Sequence, residues 1–162
     1  MGRTLLATLA ALALVVLPGC GGSSSDETTT TAPEVTCDAD PADIEVIRGW
    51  VDALRGGDVE AAADFFAIPS RAENGPVRLE LDSRADVVHF NESLPCGAQL
   101  VRAEDSGDFT TATFRLTERP GPGICGPGTG DLAETAFVIE DGKIVEWHRV
   151  GLGAPQARGQ AV

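Results

Sequence analysis

Glu146-Trp147-His148-Arg149 contains the side chains best suited to proton transfer, since an imidazole can act as a base near neutral pH. On a strand, His148 points away from Trp147 and shares a face with Ile144, Glu146 and Val150. If that face lines a pocket, Glu146 and His148 make an acid-base pair; if it faces out, they are a solvated pair or part of an interface. His89 turns partly away from the apolar stripe Val87, Phe90, Leu94 and reads as a surface histidine. Two distant histidines and widely spread cysteines offer none of the short ligand spacings of zinc sites, so neither a metal nor a cofactor is expected. There is no Gly-x-Ser-x-Gly elbow for nucleophilic catalysis. The run from Pro120 to Gly130 is rich in glycine, yet it carries no lysine and opens no helix, so it is not a phosphate loop.

The elements that must position these residues fall into two halves. Asp40-Pro41-Ala42-Asp43 supplies an N-cap, a proline at the first helical position and an acid in the first turn. Ile44, Ile47, Val51 and Leu54 then recur at helical spacing, widened by Trp50, until Gly56-Gly57 stops the helix. Asp58 starts a shorter helix that runs through Ala61-Ala62-Ala63 to Phe65-Phe66, with Pro69 as its terminator. Val77 to Leu81 reads as a short strand, and Ser83 with Asp86 has the spacing of a capping box ahead of Val87, Phe90 and Leu94. After Pro95 the period becomes two. Ala98–Glu104 and Phe109–Leu116 flank a turn, and Leu132–Ile139 and Lys143–Val150 flank Glu140-Asp141-Gly142, giving two antiparallel hairpins. Helices followed by strands predict an α+β domain with the helices on one face of an antiparallel sheet.

Ahead of this domain, Arg3 precedes an apolar run from Leu5 to Leu17, too short to span a bilayer and suited to a signal peptide over 1–19. Leu17-Pro18-Gly19-Cys20 resembles the lipobox of bacterial lipoproteins, which implies that Cys20 is acylated, becomes the mature N-terminus and holds the protein on the extracytoplasmic face of the cell membrane. Residues 20–35 are rich in Gly, Ser and Thr and predict a flexible linker; 36–153 suits one domain with one core, and 154–162 reads as a disordered tail. The formal net charge of −13 argues against nucleic acid or anionic lipid as a partner.

With Cys20 lipidated, Cys37, Cys96 and Cys125 remain in an oxidising compartment, enough for one disulfide and one spare. Placing Glu104 opposite Phe109 in the first hairpin brings Cys96 opposite about Thr117, at the end where the glycine-rich loop emerges. A Cys96–Cys125 bridge is therefore expected, closing a loop of about 30 residues, with Cys37 left over.

Trp50-Val51-Asp52-Ala53-Leu54-Arg55-Gly56-Gly57-Asp58, then Phe65-Phe66, and later Asp141-Gly142-Lys143-Ile144, resemble the start and end of the nuclear transport factor 2-like superfamily, which includes SnoaL-like proteins and ketosteroid isomerase. The resemblance implies a cone: about three N-terminal helices packed on a strongly bent antiparallel sheet, with an apolar pocket at the open end. Its lining would come from Trp50, Phe65, Phe66, Phe90, Phe114, Phe137 and Trp147, with core packing as the alternative for each. Carried over from the isomerase, the oxyanion donor falls on Trp50 in a chain that has no tyrosine, the base falls on Asn74 with Glu73 beside it, and the partner acid falls near Thr135 or Glu134. That set does not match the isomerase's chemistry. The Asp-Arg-Asp arrangement of epoxide hydrolases on this fold has a counterpart only if Arg115 and Glu134 face each other from adjacent strands. These residues favour a lipid-anchored, non-catalytic domain that binds a small apolar ligand or a protein partner. An isomerase or hydrolase using His148 with Glu146, or Glu73, is the alternative, and a sheet face that docks an envelope protein or a second copy is the third.

Overall fold

A computed structural model describes residues 36–151. Cys20, the segments 1–19 and 20–35 and the tail 154–162 lie outside the described residues, as does the side chain of Cys37. The first long element is α1, Pro41–Gly56, started by the Asp40 carboxylate accepting from the Ala42 N–H at 2.8 Å. It buries Ile44, Ile47, Trp50, Val51 and Leu54. It ends where Gly57 turns left-handed at φ 81°, a position where a Cβ would also come within 2.9 Å of Pro120. The second helix, α2, Val59–Ala63, is capped by Asp58. The third, α3, Arg84–Ser93, begins with the expected capping box between Ser83 and Asp86.

Among the described residues, seven strands form one sheet: β1 (Thr36–Cys37), β2 (Phe66–Asn74), β3 (Val77–Leu81), β4 (Gly97–Asp105), β5 (Thr110–Thr117), β6 (Leu132–Glu140) and β7 (Lys143–Val150). Their order across the sheet is β1-β4-β5-β6-β7-β2-β3. Strands β4 to β7 pair antiparallel through the two expected hairpins, and Asp141-Gly142 makes the second turn with both residues at positive φ. Helix α1 lies against β4 and β5, and α3 against α2, β2 and β3.

Four expectations need correction. The second helix does not reach Phe65-Phe66: it stops at Ala63, and Phe66 opens β2. Pro69 does not end a helix but sits in that strand, with a cis Ile68–Pro69 bond, inside the stretch between Phe66 and Arg71 where pairing to β7 loses register and no ladder bond is required of it. The helices are not all N-terminal to the sheet, because the β2–β3 hairpin separates α2 from α3. Nor is the sheet wholly antiparallel, since β1 pairs parallel to β4 and β2 parallel to β7.

Curvature comes with three register shifts, in β4 between Leu100 and Arg102, between β6 and β7 at Val138/Ile139, and in β2. The first hairpin's register also differs from expectation: Glu104 faces Thr111 and not Phe109, and the shift in β4 reduces the offset to one residue at the Cys96 end, where Gly97 faces Thr117. The core gathers around Trp50, whose ring meets Phe66, Phe114 and Phe137 edge-on at centroid distances of 6.3, 6.1 and 5.6 Å.

Candidate functional site

Two constellations carry the chemistry, one on each face of the sheet. Between Ile144 and Glu146 the β6–β7 register slips, so Val145 is an extra residue and Ile144 turns inward with Trp147. This corrects the expectation that Ile144 shares the face of His148. Glu146 and His148 lie on the face opposite to Trp147, beside Arg71 and Glu73 of the parallel strand β2. Beyond these, Arg71 faces Glu80 and Glu73 faces Arg78 on β3.

The register alone thus builds a ladder of alternating charge. His148 Nδ1 stands 3.2 Å from Glu73 and Nε2 stands 2.8 Å from Glu146. Arg78 holds Glu73 at 2.5 Å, and Arg71 lies 3.6 Å from Glu146 and 3.4 Å from Glu80. Both neighbours of the imidazole are acceptors, so the doubly protonated ring satisfies both at once. Burial pushes the Glu73 carboxyl up, but hydrogen bonds and charge from His148 and Arg78 together outweigh it and hold Glu73 below the ordinary glutamate value. Phe109 covers one edge of the ring at a centroid distance of 5.6 Å.

The other face carries a cavity of about 210 Å³. Trp50 and Leu54 of α1, the segment Leu94-Pro95-Cys96 after α3, Ala98, Phe114 and Leu116 of the adjoining strands, Ala133 and Thr135 of β6, and Trp147 and Arg149 of β7 form its wall. Of the residues expected to bind ligand, Trp50, Phe114 and Trp147 are in that wall. Phe66 and Phe90 are not: both are buried, their rings 5.8 Å apart, and Phe90, also 5.1 Å from Trp147, instead lines a separate pocket with Leu79 and Leu81 of β3. Phe137 is likewise fully buried. His148, Glu146 and Glu73, the catalytic candidates, do not line the cavity.

Further residues settle the carried-over roles. The Trp50 indole N–H donates to Asn91 Oδ1 at 2.9 Å, and Asn91 in turn donates to the Val87 carbonyl, so Trp50 is not free to donate to a ligand. Arg115 does not face Glu134; it donates to the Gly130 carbonyl, and its cross-strand neighbour is Leu132. Glu134 lies across from Thr113, which donates to it at 3.4 Å. His89 is a surface residue, 88% exposed at its side chain, beside Glu92.

Apart from its disulfide, the rim of the cavity is built by residues that carried little sequence signal. Cys96 and Cys125 form the expected disulfide, with Cα atoms 4.6 Å apart. Arg119, almost wholly buried, donates to the carbonyls of Asn91, Glu92 and Leu94 and so closes the C-terminal end of α3. Glu118 accepts from the N–H groups of Cys125 and Gly126 and from the Thr129 hydroxyl, which fixes the glycine-rich loop. Its Thr129 and Gly126 hydrogen bonds lower its carboxyl from the ordinary value. Arg149 and Thr135 could have been found by counting two residues along from Trp147 and Phe137; Arg119 and Asn91 could not, because nothing local marks them.

No protein-family profile matches the chain, and no curated protein is significantly similar to it. Solved structures do match. A proposed polyketide cyclase from Sinorhizobium meliloti superposes with a TM-score of 0.53 at 17% identity, covering 65% of this chain and 94% of that one. A proposed ketosteroid isomerase from Kribbella flavida gives 0.50 at 20% identity, covering 72% and 82%. A protein of ketosteroid isomerase-like fold from Catenulispora acidiphila, in complex with trimethylamine, gives 0.52 at 15% identity, covering 66% and 85%. The fold is that of the nuclear transport factor 2-like proteins.

Proposed function

We propose that this chain is a lipid-anchored extracytoplasmic binding protein whose cone cavity holds a small apolar ligand without transforming it. The observation that carries the reading is the composition of the cavity wall. Apolar and aromatic side chains enclose a volume larger than the roughly 150 Å³ engineered cavity that takes up benzene. No carboxylate, imidazole or free thiol is among the described lining residues, so these supply no side-chain general base, and the Thr135 hydroxyl has none beside it in the wall to activate it. Localisation rests on Leu17-Pro18-Gly19-Cys20 and the apolar run before it.

Two measurements test the proposal. Membrane fractionation of cells expressing the full chain should find it with the membrane, and Cys20→Ala should shift it toward the soluble extracytoplasmic fraction; a Cys20→Ala chain that stays membrane-bound removes the anchor. Native mass spectrometry of the purified chain should show a small-molecule adduct that disappears when Leu54→Trp fills the cavity. Turnover of that molecule by the pure protein would replace the binding reading with an enzymatic one.

A further inference from the structure

We infer that the ligand of this cavity is a small monocarboxylate, its apolar body against Trp50, Leu54 and Phe114 and its carboxylate at the mouth on Arg149. The inference rests on the cavity being the ligand site, and it adds the chemistry of the head group. Arg149 and Trp147 stand two positions apart on β7 and both line the cavity. Thr135 is the cross-strand partner of Arg149 on β6, and Asn74 is its partner on β2. Both flanking residues are neutral.

The engagement of the other arginines sets Arg149 apart. Arg55, Arg71, Arg78, Arg84 and Arg102 meet carboxylates, and Arg115 and Arg119 donate to backbone carbonyls. Among the described residues only Arg48, exposed on α1 and away from the cavity, and Arg149 have neither kind of partner. Glu134 shares the shallow groove beyond the mouth with Arg149, but it is engaged by Thr113 and lies 3.9 Å from Arg102. In a chain with 25 acidic and 12 basic residues, a guanidinium without a carboxylate at the mouth of an apolar cavity is the feature that calls for an anion.

Among the polar side chains of the wall are this guanidinium and the Thr135 hydroxyl. A carboxylate, which only accepts, complements the guanidinium; an ammonium, which only donates, does not.

The chain has two tryptophans, both in the wall, and no tyrosine, so its intrinsic emission reports on the cavity. Titrating the full chain in lipid nanodiscs with 4-phenylbutyrate, 4-phenylbutanol and 4-phenylbutylamine varies the head group at constant body. At pH 7 the acid should bind at least about tenfold more tightly than the alcohol, and the amine most weakly. Arg149→Gln, a change at an exposed position that leaves the circular dichroism spectrum intact, should weaken the acid far more than the alcohol and bring the two within about twofold of each other. Equal affinities for acid and alcohol in the parent chain, or a preference that survives Arg149→Gln, overturns the carboxylate assignment and leaves the binding reading standing. Failure of all three compounds to bind overturns both.

Discussion

The two faces of the sheet separate reactive side chains from open volume. The face with the reactive side chains, His148 between Glu73 and Glu146, has its groups saturated by one another and by Arg71 and Arg78. The face with almost no reactive side chains holds the enclosed volume. A histidine and carboxylates in register are therefore not evidence of catalysis unless a substrate can lie against them. Here strand parity, offset by one extra residue at Val145, assigns the charged set to one side and the cavity to the other. The contrast is also energetic: aromatic burial stabilises the cavity side, while half-exposed ion pairs on the other contribute little each.

Truncating the inner face should do most damage. Phe137→Ala removes a fully buried ring that contacts Trp50 and Phe114, and should cost about 3–5 kcal/mol in urea unfolding. Next comes the rim. Replacing Cys96 and Cys125 together by serine releases a bridge spanning 29 residues of sequence, and should lower stability by about 2–4 kcal/mol and weaken cavity binding, since Cys96 is part of the wall. Asn91→Ala leaves the Trp50 N–H without its acceptor and should cost about 1–3 kcal/mol, with an altered tryptophan emission; an unshifted spectrum would mean that the Trp50–Asn91 bond does not form in solution. On the charged face, His148→Gln should change stability by less than about 1 kcal/mol and leave ligand affinity as it was. A loss comparable to that of Phe137→Ala, or a loss of binding, would erase the distinction between the faces.

Acid sharpens the same comparison. Glu73 has a folded-state value below its unfolded one, so its stabilising contribution is fully present above the unfolded value near 4.5 and is lost as pH falls through the depressed folded value. Glu118 follows the same sign. Thermal melting from pH 6 down to pH 3 should therefore show a falling midpoint whose slope is reduced in Glu73→Gln. An unchanged slope in that variant would show that its pairing with His148 and Arg78 contributes no net stability.

Much of this architecture is legible in the residues. The caps at Asp40, Asp58 and Ser83 mark where each helix begins, and Asp141-Gly142 marks a hairpin because both positions need positive φ. The disulfide could be paired from hairpin register because an error of one residue still leaves Cys96 at the loop end. Strand β2 was hidden, since Phe65-Phe66 continues a helical stripe and Pro69 imitates a stop; only tertiary pairing with β7 and β3 overrides both. Side-chain facing in β7 was hidden for a similar reason, as a bulge shifts parity without any marker at Val145. Of the cavity, the aromatic part was legible and the rim was not, because Asn91 and Arg119 act on partners far away in sequence.

The guanidinium of Arg119 gives the molecule a built-in order of dismantling. Burial lowers its pKa, yet arginine keeps its proton at any pH a cell or a buffer imposes, so the end of α3 and the Leu94-Pro95-Cys96 rim are fastened by a charge that acid cannot remove. Acid instead disarms carboxylates, and those that join strands β7, β2 and β3 are on the far side of the sheet. As pH falls, the outer ladder slackens, and so does the hold of Glu118 on the glycine-rich loop, while the Arg119 clasp on the end of α3 stays closed.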